Sequence, residues 1–323
     1  VETTITPGYI DVLWDDTPMV TIDGVQRKIL SLDLHELSHG RVLFHVLGNP
    51  NDKLDKQLLS EGNVIIAAYD EEGGNILWTW HIWLTDRVSL QGYPTGYIVQ
   101  DRNLGATTAT PDGGGAFDGL YYQWGRPTPF QPASSGVYGN VSKVPSSTEQ
   151  LSSVEAAMAQ PTTLYGSGKE NWMSANETDL WGYQNEYTDL EKTMYDPCPA
   201  GYMVADVRVW QNLGLYEKSG GWQSGTGVNL SVTSSNVWYP FQGYIESDGT
   251  ENLTRDIVRL WSSAIDLRAN NTPPYELRYT ASGNAGWASS DSHRNRALPV
   301  RCVSSHSTAI VTNLSASQTA NCY

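Results

Sequence analysis

Asp101-Arg-Asn-Leu-Gly-Ala106 is followed by Tyr121-Tyr-Gln-Trp-Gly-Arg126, then by Pro197-Cys-Pro-Ala-Gly-Tyr202, and the series closes with Pro299-Val-Arg-Cys302. Across some 200 residues the recurring pieces are tryptophan, glycine and one cysteine pair, with no nucleophile–base set among them. Residues of this kind build a rigid scaffold: aromatic rings for packing, glycines for tight turns, cysteines for a staple.

The 323 residues are enough for two domains of ordinary size. Apolar residues make up 39% and charged residues only 17%, and there are 12 Trp and 18 Tyr against 4 Phe. Gly, Ser, Thr and Asn fill the difference, which reads as a loop-rich β protein of the cell exterior rather than a helical cytosolic enzyme. The formal net charge of -15 argues against a nucleic-acid partner, because phosphate binding needs a basic face. No apolar run approaches 18 residues, so no transmembrane helix is expected. Val1 opens straight into a polar stretch, which reads as a mature or trimmed form of an exported chain.

Residues 1–86 carry strand periodicity. Ile10–Trp14 and Ile29–Leu34 alternate, and Arg41–Leu47 and Asn63–Tyr69 are apolar runs. Asp70-Glu-Glu-Gly-Gly-Asn75 reads as a tight turn into Ile76–Trp83, with Trp78, Trp80 and Ile82 on one face. So many short strands predict a β-sandwich. Residues 87–305 have shorter strands, longer Gly/Ser-rich loops and two expected helices. The first is Ser147–Ala159, with Thr148 as N-cap and Pro161 as stop. The second is Val204–Leu215, capped by Asp206. Later strands are expected over 237–243, 257–263, 275–280 and 297–303. This part reads as an α+β module inside a mainly β chain, and residues 306–323 as a tail.

Residues 101–303 resemble the Fibrobacter succinogenes major paralogous domain, a C-type-lectin-like module. The resemblance rests on Asp101–Gly105, Tyr122–Arg126, Pro197–Tyr202, Leu260-Trp-Ser-Ser263 and Pro299–Val303. Residues 1–86, ending in Ile76-Leu-Trp-Thr-Trp-His-Ile-Trp-Leu-Thr-Asp86, are similar to the β-sandwich that precedes that module in fimbrillin-like and tip-like surface proteins of Bacteroidota. The resemblance implies an exported, non-enzymatic subunit of a fimbria or other filament on the outer bacterial surface, whose partners are copies of itself or other fimbrial subunits. In similar proteins an Ala-Asn-Cys-Tyr stretch opens the sandwich, whereas here Ala320-Asn-Cys-Tyr323 lies at the other end. The sandwich is therefore expected to lack a strand. Thr308–Leu314 is the candidate donor, with Ala309 and Val311 on one face and Ile310 and Leu314 on the other.

Cys198 and Cys302 are open to three readings: free thiols, metal ligands or a bridge. No C-x-x-C or adjacent His supports a metal, and the exported setting that the resemblance implies favours the bridge. Cys322 is left without a partner. His35-Glu-Leu-Ser-His39 matches H-E-x-x-H, but that motif holds zinc only on a helix. On a strand the two histidines lie about 13 Å apart, so no metal site, catalytic residue or cofactor is expected. Asp112, Asp118, Asp248 and Glu251 read as solvated loop carboxylates rather than a calcium site. The six Asn-x-Ser/Thr sequons at Asn140, Asn176, Asn229, Asn252, Asn270 and Asn313 read as compositional. Trp14, Trp78, Trp80, Trp83, Trp124 and Trp261 are expected in the core. Trp222, Trp238, Tyr244 and Trp287 adjoin Gly/Ser-rich loops and are the candidates for exposed, ligand-facing aromatics. They carry the alternative function, a carbohydrate-binding module for glycan capture.

Overall fold

The computed structural model describes residues 5–33, 42–47, 60–93, 95–111, 116–133, 143–182, 191–210, 222–223, 226–232, 235–253, 255–267, 272–280, 285–288 and 293–304, with the backbone alone at 222–223, 231–232, 235–236, 280 and 285–288. Strands dominate these residues, in several small antiparallel sheets with two short helices. The chain divides into two compact units, with a boundary between Arg87 and Val88.

The first unit contains β1 (Tyr9–Asp15), β2 (Val20–Ile22), β3 (Val25–Arg27), β4 (Leu30–Asp33), β5 (Leu43–Val46), β6 (Gly62–Tyr69) and β7 (Ile76–Leu84). The order β1-β6-β7 makes a three-stranded sheet. Alternation fixes its register: Val64 faces Ile82 and Ile66 faces Trp80. These side chains, with Leu84, form one face. Ile29 and Leu30 complete a cluster with that face, and Leu32, Phe44 and Val46 of the β4–β5 hairpin pack against it. The Asp70–Asn75 turn forms as its sequence predicts, because the Asp70 carboxylate accepts from the backbone N–H of Glu71 and of Asn75. The β2–β3 hairpin was not evident from period-2 alternation. It turns on Asp23 and Gly24, both at positive φ (51° and 76°), the conformation of a two-residue type I′ turn.

The second unit contains β8 (Leu90–Gly92), β9 (Ile98–Gln100), β10 (Tyr121–Gln123), β11 (Met203–Val204), helix α2 (Val207–Trp210), β12 (Trp222–Gln223), β13 (Gly227–Val232), β14 (Ser235–Pro240), β15 (Tyr244–Ile245), β16 (Glu251–Asn252), β17 (Ile257–Ile265), β18 (Pro274–Thr280), β19 (Ala285–Ala288), β20 (Ala297–Pro299) and β21 (Cys302–Ser304). Helix α1 is Val154–Met158. The sheets run β8-β9-β21-β11, β10-β20-β15-β16, β12-β13-β14 and β17-β18-β19. One apolar cluster joins three of these sheets to α2 through Val99, Val209, Trp210, Leu230, Tyr239, Leu260 and Leu277.

The first expected helix is shorter than its sequence pattern, and the second starts three residues later than expected, at Val207. The first begins at Val154, where the Ser153 hydroxyl accepts from Ala156 N–H, so Ser153 rather than Thr148 acts as the cap. The residues before it bridge instead, Ser146 to Leu164 and Leu151 to Met173. In α2 the Asp206 cap forms as expected, its carboxylate accepting from Arg208 N–H at 2.7 Å. Residues 211–215, the rest of that expectation, lie outside the described residues.

Loops dominate the second unit, so its buried carbonyls need donors from elsewhere. The quoted motifs, together with Trp172, supply them, because indole and guanidinium groups donate and never accept. Trp261 donates to Tyr122 O, Trp124 to Ser262 O and Trp172 to Trp124 O. Arg126, 1% exposed, donates to Gln123 Oε1, Thr163 O and Ala157 O and lies 5.1 Å from the Phe130 ring centre. Arg301, fully buried, donates to Asn103 Oδ1 and Trp238 O, 4.1 Å from the Tyr239 ring centre. Asn103 in turn reaches Gln242, which closes a two-bond clasp on Gly119.

Cys198 and Cys302 form a disulfide across 104 residues. Beside it the buried Asp196 carboxylate accepts from the N–H groups of Cys198 and Val204 and from Lys192. Burial raises the Asp196 pKa, against the pull of Lys192 and these bonds.

Candidate functional site

The expected ligand-facing aromatics do not form one surface. Trp238 is 4% exposed, a core residue rather than an exposed one, and this corrects the expectation. Strand β14 puts it across from Asn229, and its ring lies over Gly227, where an added Cβ would meet it at 2.5 Å. The Gly/Ser-rich neighbourhood thus reflects close approach of an indole, not exposure. The side chains of Trp222 and Trp287 lie outside the described residues. So do His35, His39, Asp112 and the donor segment with Ala309, Ile310, Val311 and Leu314. Among the core tryptophans, Trp14, Trp124 and Trp261 are buried as expected, and Trp78, Trp80 and Trp83 are half-buried. Two loop carboxylates are paired rather than simply solvated. Asp118 meets Arg255 and Asp248 meets Lys143, both at 2.7 Å.

Tyr244 does line a cleft, of about 420 Å³, together with Asn252, Asp256, Ile257, Arg259, Arg278, His293 and Arg296. It is built on the face of sheet β17-β18-β19 that turns away from the apolar cluster. Val258, Leu260, Leu277 and Tyr279 go into that cluster, so their neighbours Ile257, Arg259, Glu276 and Arg278 take the other face. The register sets Arg259 directly opposite Arg278. Two like charges in that relation destabilise a sheet. Glu276 relieves this: its carboxylate is fully buried, with Oε2 accepting from Arg259 Nε at 2.8 Å and Oε1 from Arg278 Nε at 2.7 Å. On β19, Gly286 faces Arg278 and adds no side chain there.

The opposite wall comes from the β15–β16 hairpin and the turn before β20. Gly243 opens that hairpin at φ 82°, and an added Cβ would lie 2.0 Å from Asn252 O, so only glycine fits. The Tyr244 hydroxyl donates to Glu246 Oε1 and therefore accepts from Asn252 Nδ2, both at 2.9 Å. Arg296 Nε donates to Glu246 Oε2 at 2.9 Å. The Arg259 guanidinium sits 4.3 Å from the Tyr244 ring centre, so an arginine occupies the ring face expected to stack on a sugar. Burial, and then the bond to Glu246, raise the Tyr244 pKa and keep its hydroxyl protonated.

The cleft thus presents guanidinium forks, an imidazole, a phenol, an amide and one exposed carboxylate, Asp256. Such a set recognises an oxyanion through paired N–H donors. Among the described residues no group of three or more His, Cys, Asp or Glu is placed to hold a metal ion. No family model matches this chain, and no curated protein or solved structure matches it either. The cleft was not evident in the sequence beyond Tyr244, because its arginines are scattered over 37 residues. Strand alternation places two of them on one face only once the register is known.

Proposed function

We propose that the chain is a non-enzymatic, exported surface protein, a structural or adhesive subunit of a fimbria or other extracellular filament. In this reading residues 1–86 are a fimbrillin-like β-sandwich, residues 87–305 a C-type-lectin-like module, and residues 306–323 a strand donated to a neighbouring copy. The observation that carries it is the Cys198–Cys302 bridge, which belongs to an oxidising compartment. The motif residues shared with the resembling module add support, since they serve here as buried donors and not as chemistry. Head-to-tail strand donation is a heterologous contact and propagates as a fibre. Electron microscopy of the purified protein should show regular polymers, and deleting 306–323 should abolish them while leaving the disulfide-bonded unit folded. Polymers that survive the deletion would refute strand donation by this segment.

A second reading, a carbohydrate-binding surface module, is favoured by the Tyr244 cleft. It no longer draws on Trp238. Its support is the set of polar groups around Arg259, Arg278 and Arg296.

A further inference from the structure

We propose that the Tyr244 cleft binds a sugar carrying a single carboxylate, of the uronic or sialic acid class. The inference deepens the carbohydrate-binding reading and rests on it, but not on export or filament assembly.

Three guanidinium groups converge on one open cleft. Each is gripped by a carboxylate of the protein: Arg259 and Arg278 by Glu276, and Arg296 by Glu246. This grip fixes the planes of the forks before any ligand arrives, which reduces the entropy lost on binding. The Arg278 and Arg296 side chains are 26% and 23% exposed, so both remain reachable from the cleft. A planar carboxylate is the ligand group that two such forks accept.

The rest of the lining selects what carries that carboxylate. Asp256 is an exposed lining residue whose carboxylate can accept from a ligand hydroxyl, while Asn252 and His293 extend the polar wall. A hydroxyl-rich ring with one anionic group fits this mixture of acceptor and donor. A long polyanion does not. The chain has a net charge of -15, which repels a polyanion more than it repels a ligand with one charge.

Calorimetric titration of the full chain tests this with D-glucuronate, N-acetylneuraminate, the methyl ester of each, glucose, and N-acetylglucosamine 6-sulfate. At least one carboxylate sugar is expected to bind one-to-one, with its ester and glucose about tenfold weaker or more. Arg278→Ala and Arg296→Ala should each weaken it by about tenfold or more, whereas Lys143→Ala, outside the cleft, should leave it unchanged. Should an alanine variant melt early, Arg278→Lys and Arg296→Lys keep the charge and remove the fork. Loss of binding in either lysine variant supports the proposal. Equal affinity for acid and ester, preference for the sulfated sugar, indifference to all four arginine variants, or no heat at about 10 mM sugar overturns it. Filaments formed by a chain whose cleft is inert would overturn this inference alone. Sugar binding by a chain that forms no filaments would overturn the assembly reading alone.

Discussion

The sheet β1-β6-β7 and the arginine-rich second unit satisfy their buried polar groups in opposite ways. In the three-stranded sheet of the first unit the strand ladders pair the backbone, and Asp16, Asn63 and His81 form a chain of side-chain bonds beside it. Asn63 Nδ2 donates to Asp16, which leaves Asn63 Oδ1 to accept from His81 Nε2 at 2.9 Å. Burial pushes the His81 pKa down from 6.5 to about 3 and raises that of Asp16. In the second unit, strands of two or three residues leave carbonyls unladdered, and long donor side chains reach across the sequence to cap them. A sheet of that first kind tolerates substitution along its rim. A loop assembly of the second kind depends on single residues, each satisfying several groups.

The largest test of that contrast is the staple. Replacing Cys198 and Cys302 by Ala should cost about 4–5 kcal/mol by the chain-entropy relation for a loop of this length. Differential scanning calorimetry should show the transition of the second unit moving far more than that of the first. Next comes Arg126→Met, which keeps much of the apolar volume but orphans two buried carbonyls. A loss of about 3 kcal/mol in denaturant unfolding is expected. If that loss stays under about 1 kcal/mol, the donor-side-chain account of the loops fails.

The first unit should instead show a pH dependence. His81 is held neutral, so in acid the unfolded chain takes up a proton that the folded chain refuses. Its stability contribution is full above pH 6.5 and is lost as pH falls toward about 3. The full shift corresponds to about 4–5 kcal/mol, and because His81 is only half-buried a loss of about 2–3 kcal/mol is expected. His81→Gln keeps a donor for Asn63 and should flatten the stability profile across that window. The smallest effect belongs to Lys143 and Asp248. Their bond lowers the Asp248 pKa to about 2, yet both side chains are half exposed (51% and 52%). Lys143→Ala should change stability by no more than about 0.5 kcal/mol.

The same contrast explains what the sequence disclosed. Strands β1, β4 and β7 could be read from apolar alternation and β5 and β6 from apolar runs, and their observed limits fall within about two residues of the expected ones. Trp14, Trp124 and Trp261 could be placed in the core because they sit in strand-like runs. Trp238 could not, because the small residues near it make room for the indole and resemble those of an exposed loop. The helix expected over 147–159 shrank because Ser147 and Leu151 form tertiary bonds instead, Ser147 N–H to Leu164 O and Leu151 N–H to Trp172 O. The cleft lay furthest from view. It depends on which residue of β18 stands across from Arg259, and no local pattern specifies that register.

The positions of β20 and β21 also bear on the order of folding. Strand β20 lies between β10 and β15, and β21 lies between β9 and β11, so each is interior to its sheet. Residues 297–304 are thus the last described segment to leave a ribosome or a translocation channel, yet two sheets need them as a central strand. Until they emerge, β9 and β10 have no route to β11 and β15, and Cys198 has no Cys302 to meet. Pairings over some 200 residues are slow to close. The sheets β8-β9-β21-β11 and β10-β20-β15-β16 therefore close last, after β12-β13-β14 and β17-β18-β19, which need neither strand. A nascent chain stopped before Ala297 should remain open to protease at β9, β10 and β11, then become resistant there once Ser304 is exposed.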